Sequence, residues 1–134
     1  MNILRAKINK SNNTLKFEIL NDKNEKTFSI NFSNESIQKE NLNKLANDQL
    51  ITLGIRPHKI FFNQKDSNFD GKASSSSYHW LGDQVHIGIE INGSSIIGVA
   101  DRNFEPSSDV KLNFPLESIN IFNLETEEVI LNGL

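Results

Sequence analysis

Val85-His86-Ile87-Gly88-Ile89-Glu90-Ile91, followed by Asn92-Gly93 and then by Ser94-Ser95-Ile96-Ile97-Gly98-Val99-Ala100, is the stretch that decides the fold. Apolar residues recur at every second position from Val85 to Ile91, which is the period of a half-buried strand, and the run after Asn-Gly is rich in β-branched residues. Asn-Gly supplies the two positive φ angles that a type I′ turn demands, so the two runs form a hairpin. In that register Val85, Ile87, Ile89, Ile91, Ile96 and Ala100 share one face. His86, Glu90, Ser95, Ile97 and Val99 share the other, which is only partly polar.

The same alternation extends outward. Leu4, Ala6 and Ile8 share a strand face, as do Leu15, Phe17 and Ile19, and then Phe28, Ile30 and Phe32. Asn21-Asp22-Lys23-Asn24 joins the last two runs as a hairpin turn. Ser36 to Asn47 offers at most one short helix, because Ile37, Leu42 and Leu45 are unevenly spaced. The polar segment 63–72 is expected to link two β-rich halves, about 1–62 and 73–134, of a single domain. Many short strands with frequent turns make the fold class all-β with antiparallel pairing; alternation alone does not choose between a small barrel and a sandwich.

Composition narrows the function. With 134 residues the chain can bury roughly two-thirds of its unfolded surface as one domain. A formal net charge of -3 argues against a nucleic-acid partner, which needs concentrated Lys and Arg. The absence of cysteine removes disulfides, thiolate metal sites and cysteine nucleophiles. No stretch reaches the roughly 20 apolar residues of a membrane helix, and no charged-then-apolar signal opens the chain. Asn-x-Ser/Thr triplets such as Asn12-Asn13-Thr14 and Asn31-Phe32-Ser33 read as chance in an Asn- and Ser-rich chain.

Two further runs carry specific information. Ile51-Thr52-Leu53-Gly54-Ile55-Arg56-Pro57 is a strand that stops at a residue unable to donate to a ladder. Ile121-Phe122-Asn123-Leu124-Glu125-Thr126-Glu127 is a short strand entering a Thr/Glu-rich turn before a last strand, Val129 to Leu131. With Met1-Asn2-Ile3-Leu4 and Trp80-Leu81-Gly82, these runs resemble, in order and over nearly the whole chain, a transport-associated accessory (TOBE-type) domain. That domain stands at the C-terminal end of ATP-binding subunits of bacterial ABC importers, particularly the maltose and carbohydrate type.

The resemblance implies an oligonucleotide/oligosaccharide-binding (OB) type barrel and a non-catalytic regulatory and dimerisation role. It places ATP and Mg on an N-terminal nucleotide-binding domain that these residues do not contain, and no cofactor on this chain. The implied partners are that domain, a second copy of the ATPase subunit, indirectly the membrane permease, and in some relatives a regulatory protein or small molecule. The implied location is the inner face of the bacterial membrane, and the implied cargo a sugar or sugar-phosphate. Leu53, Gly54, Ile55, Arg56, Pro57, Trp80, Leu81, Gly82, Phe122 and Thr126 match the family motifs and are expected to define the fold or an interface. The chain departs from the family at His58 and His79, where Glu is usual, and at Asn123 and Glu127, where Asp and Gly are usual. A small-ligand or oxyanion-binding barrel, as in related molybdate-binding domains, is the alternative, with Ser74 to Ser77 or Ser94-Ser95 supplying hydroxyls. Single-stranded nucleic-acid binding ranks third, because Lys and Arg are scattered.

No catalytic or metal-binding constellation is expected. Asp66-Ser67-Asn68-Phe69-Asp70-Gly71 copies half of a calcium loop, but Ser77 stands where the bidentate Glu belongs, so a solvated Asx-turn loop is expected. His79 and His86 approach across the Leu81-Gly82 turn, yet no carboxylate spacing accompanies them, and His58 stands apart. Arg56 is expected to pair with an acid on a neighbouring strand. Trp80 and Tyr78 could anchor an interface, but core packing is the commoner explanation for such aromatics. Glu125, Glu127 and Glu128 read as a solvated turn. No phosphate loop and no Gly-x-Ser-x-Gly elbow is present in the sequence.

Overall fold

The computed structural model describes residues 1–62, 67–104 and 110–134. In chain order its strands are β1 (Asn2–Lys10), β2 (Thr14–Leu20), β3 (Lys26–Ser33), β4 (Leu50–Ile55), β5 (Phe61–Phe62) and β6 (Phe69–Asp70). They continue with β7 (Ala73–Leu81), β8 (Gln84–Ile91), β9 (Ser94–Asp101), β10 (Leu112–Asn113), β11 (Asn120–Asn123) and β12 (Val129–Asn132). One five-residue helix, α1 (Lys39–Asn43), lies between β3 and β4.

The alternating runs become strands because each can bury one face. Leu4, Ala6 and Ile8 of β1, Leu15, Phe17 and Ile19 of β2, and Phe28, Ile30 and Phe32 of β3 all point into one core. Phe17 and Phe32 meet edge to face at 6.1 Å between ring centres. The β2–β3 turn is set by Asn21, whose side-chain oxygen accepts from the Lys23 and Glu25 amides at 2.9 Å each. Helix α1 is held from outside: the Lys10 ammonium donates to the Leu42 and Leu45 carbonyls at 3.0 and 2.9 Å.

The main sheet runs β12-β11-β4-β1-β2-β3-β6, with every pairing antiparallel. Its far strands, β11 and β12, thus return from the end of the chain to lie beside β4. A second sheet, β7-β8-β9, is two successive hairpins. Asn92 and Gly93, at φ 49° and 92°, make the two-residue turn that their sequence demands. Val85, Ile87, Ile89, Ile91 and Ile96 are buried as the alternation predicts, and Ile97 is exposed. The Asn92 amide donates to the Thr27 carbonyl at 2.6 Å, and Thr27 and Ser94 share a hydroxyl bond at 2.8 Å. These bonds fix the hairpin to β3. Both sheets contribute to one apolar cluster that runs from Leu4 to Leu131.

Two polar segments carry contacts that their sequence does not show. Ser67 and Asn68 lie in a partly exposed segment, as expected, but their side chains are bonded within the protein. Ser67 donates to the Leu112 carbonyl at 2.7 Å, and the Asn68 side chain bonds both the carbonyl and the amide of Phe114, at 2.7 and 2.9 Å. Both side chains therefore brace the chain around β10. Asp66 of that run, and residues 63–66 of the polar segment, lie outside the described residues. The Ser74 to Ser77 run is extended. It is the first half of a nine-residue strand that borrows its order from β8, with a bulge at Ser76.

Candidate functional site

The two most distinctive motifs meet in space. β4 lies between β1 and β11, with Leu53 opposite Ile121, Gly54 opposite Asn120 and Thr52 opposite Phe122. Leu53 and Ile55 are fully buried. Gly54 faces outward under two side chains: a Cβ there would fall 2.6 Å from the Met1 sulfur and 2.8 Å from Cε2 of Phe122. Only glycine lets the Phe122 ring lie on the strand. The Asn120 side chain adds a bond of 3.1 Å to the Gly54 carbonyl.

Beyond Ile55 the chain turns. Pro57 opens a single 3-10 turn to Lys59, in which the Lys59 amide bonds the Arg56 carbonyl at 2.9 Å. Arg56 is exposed and joins no ion pair among the described residues, contrary to the expected carboxylate partner. The only ion pair there is Lys7–Asp48, at 3.6 Å.

The Asn123 to Glu128 turn is built by one side chain. The Asn123 oxygen accepts from the amides of Glu125 and Thr126, at 2.9 and 3.1 Å, as an aspartate would. The Thr126 hydroxyl oxygen accepts from the Glu128 amide at 3.3 Å. Glu127 is left-handed, at φ 62°, a conformation that glycine takes at no steric cost. Ile3, Thr52, Phe122, Asn123, Leu124 and Glu127 border an open groove of about 390 Å³ beside this turn.

Trp80, Leu81 and Gly82 lie at the tip of the β7–β8 hairpin. The turn proper is Gly82-Asp83, one residue later than the Leu-Gly reading, and Gly82 takes φ 65° there. Core packing is excluded for Trp80 and Leu81, which are 52% and 58% exposed. Tyr78 is half-buried and packs against Phe104. His79 and His86 stand directly opposite one another in the register. With Ser77, Leu81, Gly88 and Ile97 they border a second depression of about 390 Å³. His58 lies apart, beside Phe62 and Phe104.

Three of the six hydroxyls considered for an anion are engaged. Ser75 bonds Tyr78, Ser76 donates to the Gly88 carbonyl at 3.2 Å, and Ser94 bonds Thr27. Among the described residues no group of three or more His, Asp or Glu side chains converges as a metal site. None of their helices is long and apolar enough to cross a membrane. The sequence reading missed Asn2, whose side chain donates to the Ile97 carbonyl and accepts from the Ile97 amide, both at 2.8 Å.

No family model and no curated protein matches the chain. Solved structures do resemble it. One is the cytoplasmic molybdate-binding protein ModG, crystallised with molybdate bound, at a TM-score of 0.57 and 9% identity. The likeness covers 90% of this chain and 94% of that one. At this identity it is a likeness of fold, and it establishes the all-β, OB-type architecture expected from the sequence.

Proposed function

We propose that this chain is a non-catalytic OB-type accessory domain of solute import, which acts through contacts with an ATP-binding subunit of an ABC importer. The observation that supports this reading is the packing of Phe122 on Gly54, which brings the two most specific motif segments together across the β4–β11 pair. An accessory domain biases a partner's opening and closing when it makes different contacts in the two states. Exposed Trp80 and Leu81 and the apolar groove beside Phe122 are suited to such contacts. The site of action would be the cytoplasmic face of the membrane, reached through the transporter, and the cargo a sugar or sugar-phosphate.

A second reading, a small-oxyanion-binding barrel, is favoured by the likeness to ModG, which speaks for it more directly than for importer control. Against it stand Ser75, Ser76 and Ser94, whose hydroxyls are already bonded within the protein. The same samples test both readings. Thermal melting with molybdate, sulfate or phosphate should leave the midpoint unchanged under the first reading. Under the second it should rise with concentration, since ligand at 100 times Kd adds about 2.7 kcal/mol. Mixing the chain with an importer ATPase stripped of its own accessory domain should give a complex by light scattering. ATP should show no affinity for the chain alone. Failure to associate, together with an anion-dependent rise in melting temperature, would reverse the order of the two readings.

A further inference from the structure

We propose that His79 and His86 form a two-imidazole chelate for a divalent transition-metal ion on the outer face of the β7–β8 hairpin. The register carries the proposal. Leu81 pairs with Gln84 across the Gly82-Asp83 turn, so Trp80 pairs with Val85, and the next pair is His79 with His86. Val85 points into the core. Side chains alternate along a strand, so both imidazoles stand on the opposite, solvent-facing side. Residues directly opposed in an antiparallel pair hold their Cβ atoms about 4.5–5.5 Å apart. From that base two imidazoles can close on one point about 2.0–2.1 Å from a nitrogen of each.

The surroundings suit such a chelate. Both histidines line one depression together with Ser77, whose hydroxyl lies over Gly88. Leu81 and Ile97 also border the depression, which is open enough to admit an ion. His79 is exposed and His86 half-buried, and neither joins an ion pair among the described residues. Among the described residues no third carboxylate or imidazole converges there, so water or an incoming anion would complete the coordination sphere. Imidazole donors select zinc, copper or nickel over magnesium or calcium. A bound ion would tie β7 to β8 just behind the exposed Trp80-Leu81 tip and stiffen the hairpin. This site is independent of the importer reading.

Trp80, the only tryptophan, neighbours His79 and reports on the site, because bound Cu²⁺ quenches nearby indole fluorescence. Titration of the full chain with Cu²⁺ should give saturable quenching at one equivalent, competed by Zn²⁺. His79→Asn and His86→Asn should each weaken the binding by about tenfold or more, since the second donor acts at high effective concentration. His58→Asn should leave it unchanged. Circular dichroism of each variant checks folding, and His86→Gln provides a second substitution at the half-buried position. Quenching that fails to saturate at millimolar copper, or equal affinity in His79→Asn, would overturn the proposal.

Discussion

The Asn2 side chain pairs with the backbone of Ile97, donating to its carbonyl and accepting from its amide at 2.8 Å each. One primary amide thus stands in for a neighbouring strand at the open edge of β9. Exposed strand edges invite pairing with other chains, and this contact occupies part of one. Replacing Asn2 with Ala should cost about 1 kcal/mol, the net worth of such bonds at a partly exposed site. Hydrogen exchange at the Ile97 amide should accelerate, and light scattering should reveal more self-association. An unchanged exchange rate would show that the contact is not maintained in solution.

Gly54→Ala should destabilise the domain by about 1–3 kcal/mol, because the added methyl meets Phe122 and Met1 at less than contact distance. The Met1 side chain is flexible and can swing away, so the ring decides the outcome. In a Phe122→Ala background the same substitution should cost clearly less. Urea denaturation of the four proteins in a double-mutant cycle measures the coupling.

Glu127→Gly should be stabilising. Glu127 sits at φ 62° with a side chain that this conformation disfavours by roughly 1–2 kcal/mol. Part of the gain is offset by the extra freedom of glycine in the unfolded chain. A net gain of about 1 kcal/mol, read as a higher denaturation midpoint at unchanged slope, is the expected result.

Asn92 has two separable roles, a left-handed backbone at φ 49° and a bond to the Thr27 carbonyl. Asn92→Gly keeps the first and loses the second, whereas Asn92→Ala loses both. The alanine variant should therefore be less stable than the glycine variant, by about 1 kcal/mol. Equal melting temperatures would mean that backbone conformation contributes nothing here.

These residues also show which parts of the architecture a sequence reveals. The β8–β9 hairpin was legible because strict alternation from Val85 to Ile91 runs into Asn-Gly, which fixes the register of the return strand. Strand β7 was not, because four serines carry no alternation, and their conformation comes from pairing with β8. The placement of β11 beside β4 is a contact between segments some 66 residues apart, as in Asn120 and Gly54, and no local pattern encodes it. The family resemblance supplied the two segments but not their contact. The facing of His79 and His86 depended on the phase of the turn, which the sequence reading put one residue early. Asn2 gave no signal, since its partner is 95 residues away.

The return of β11 and β12 to the sheet begun by β1 and β4 has a consequence for how the molecule is made. Hairpins β1–β2, β2–β3 and β8–β9 can zip as soon as they leave the ribosome, because their partners are adjacent in sequence. The far side of β4, with its full row of backbone groups, must wait for residues 120–132 to be synthesised. Until then a nascent chain carries an unprotected apolar strand, and a messenger truncated shortly before codon 120 should yield a product that chaperones retain.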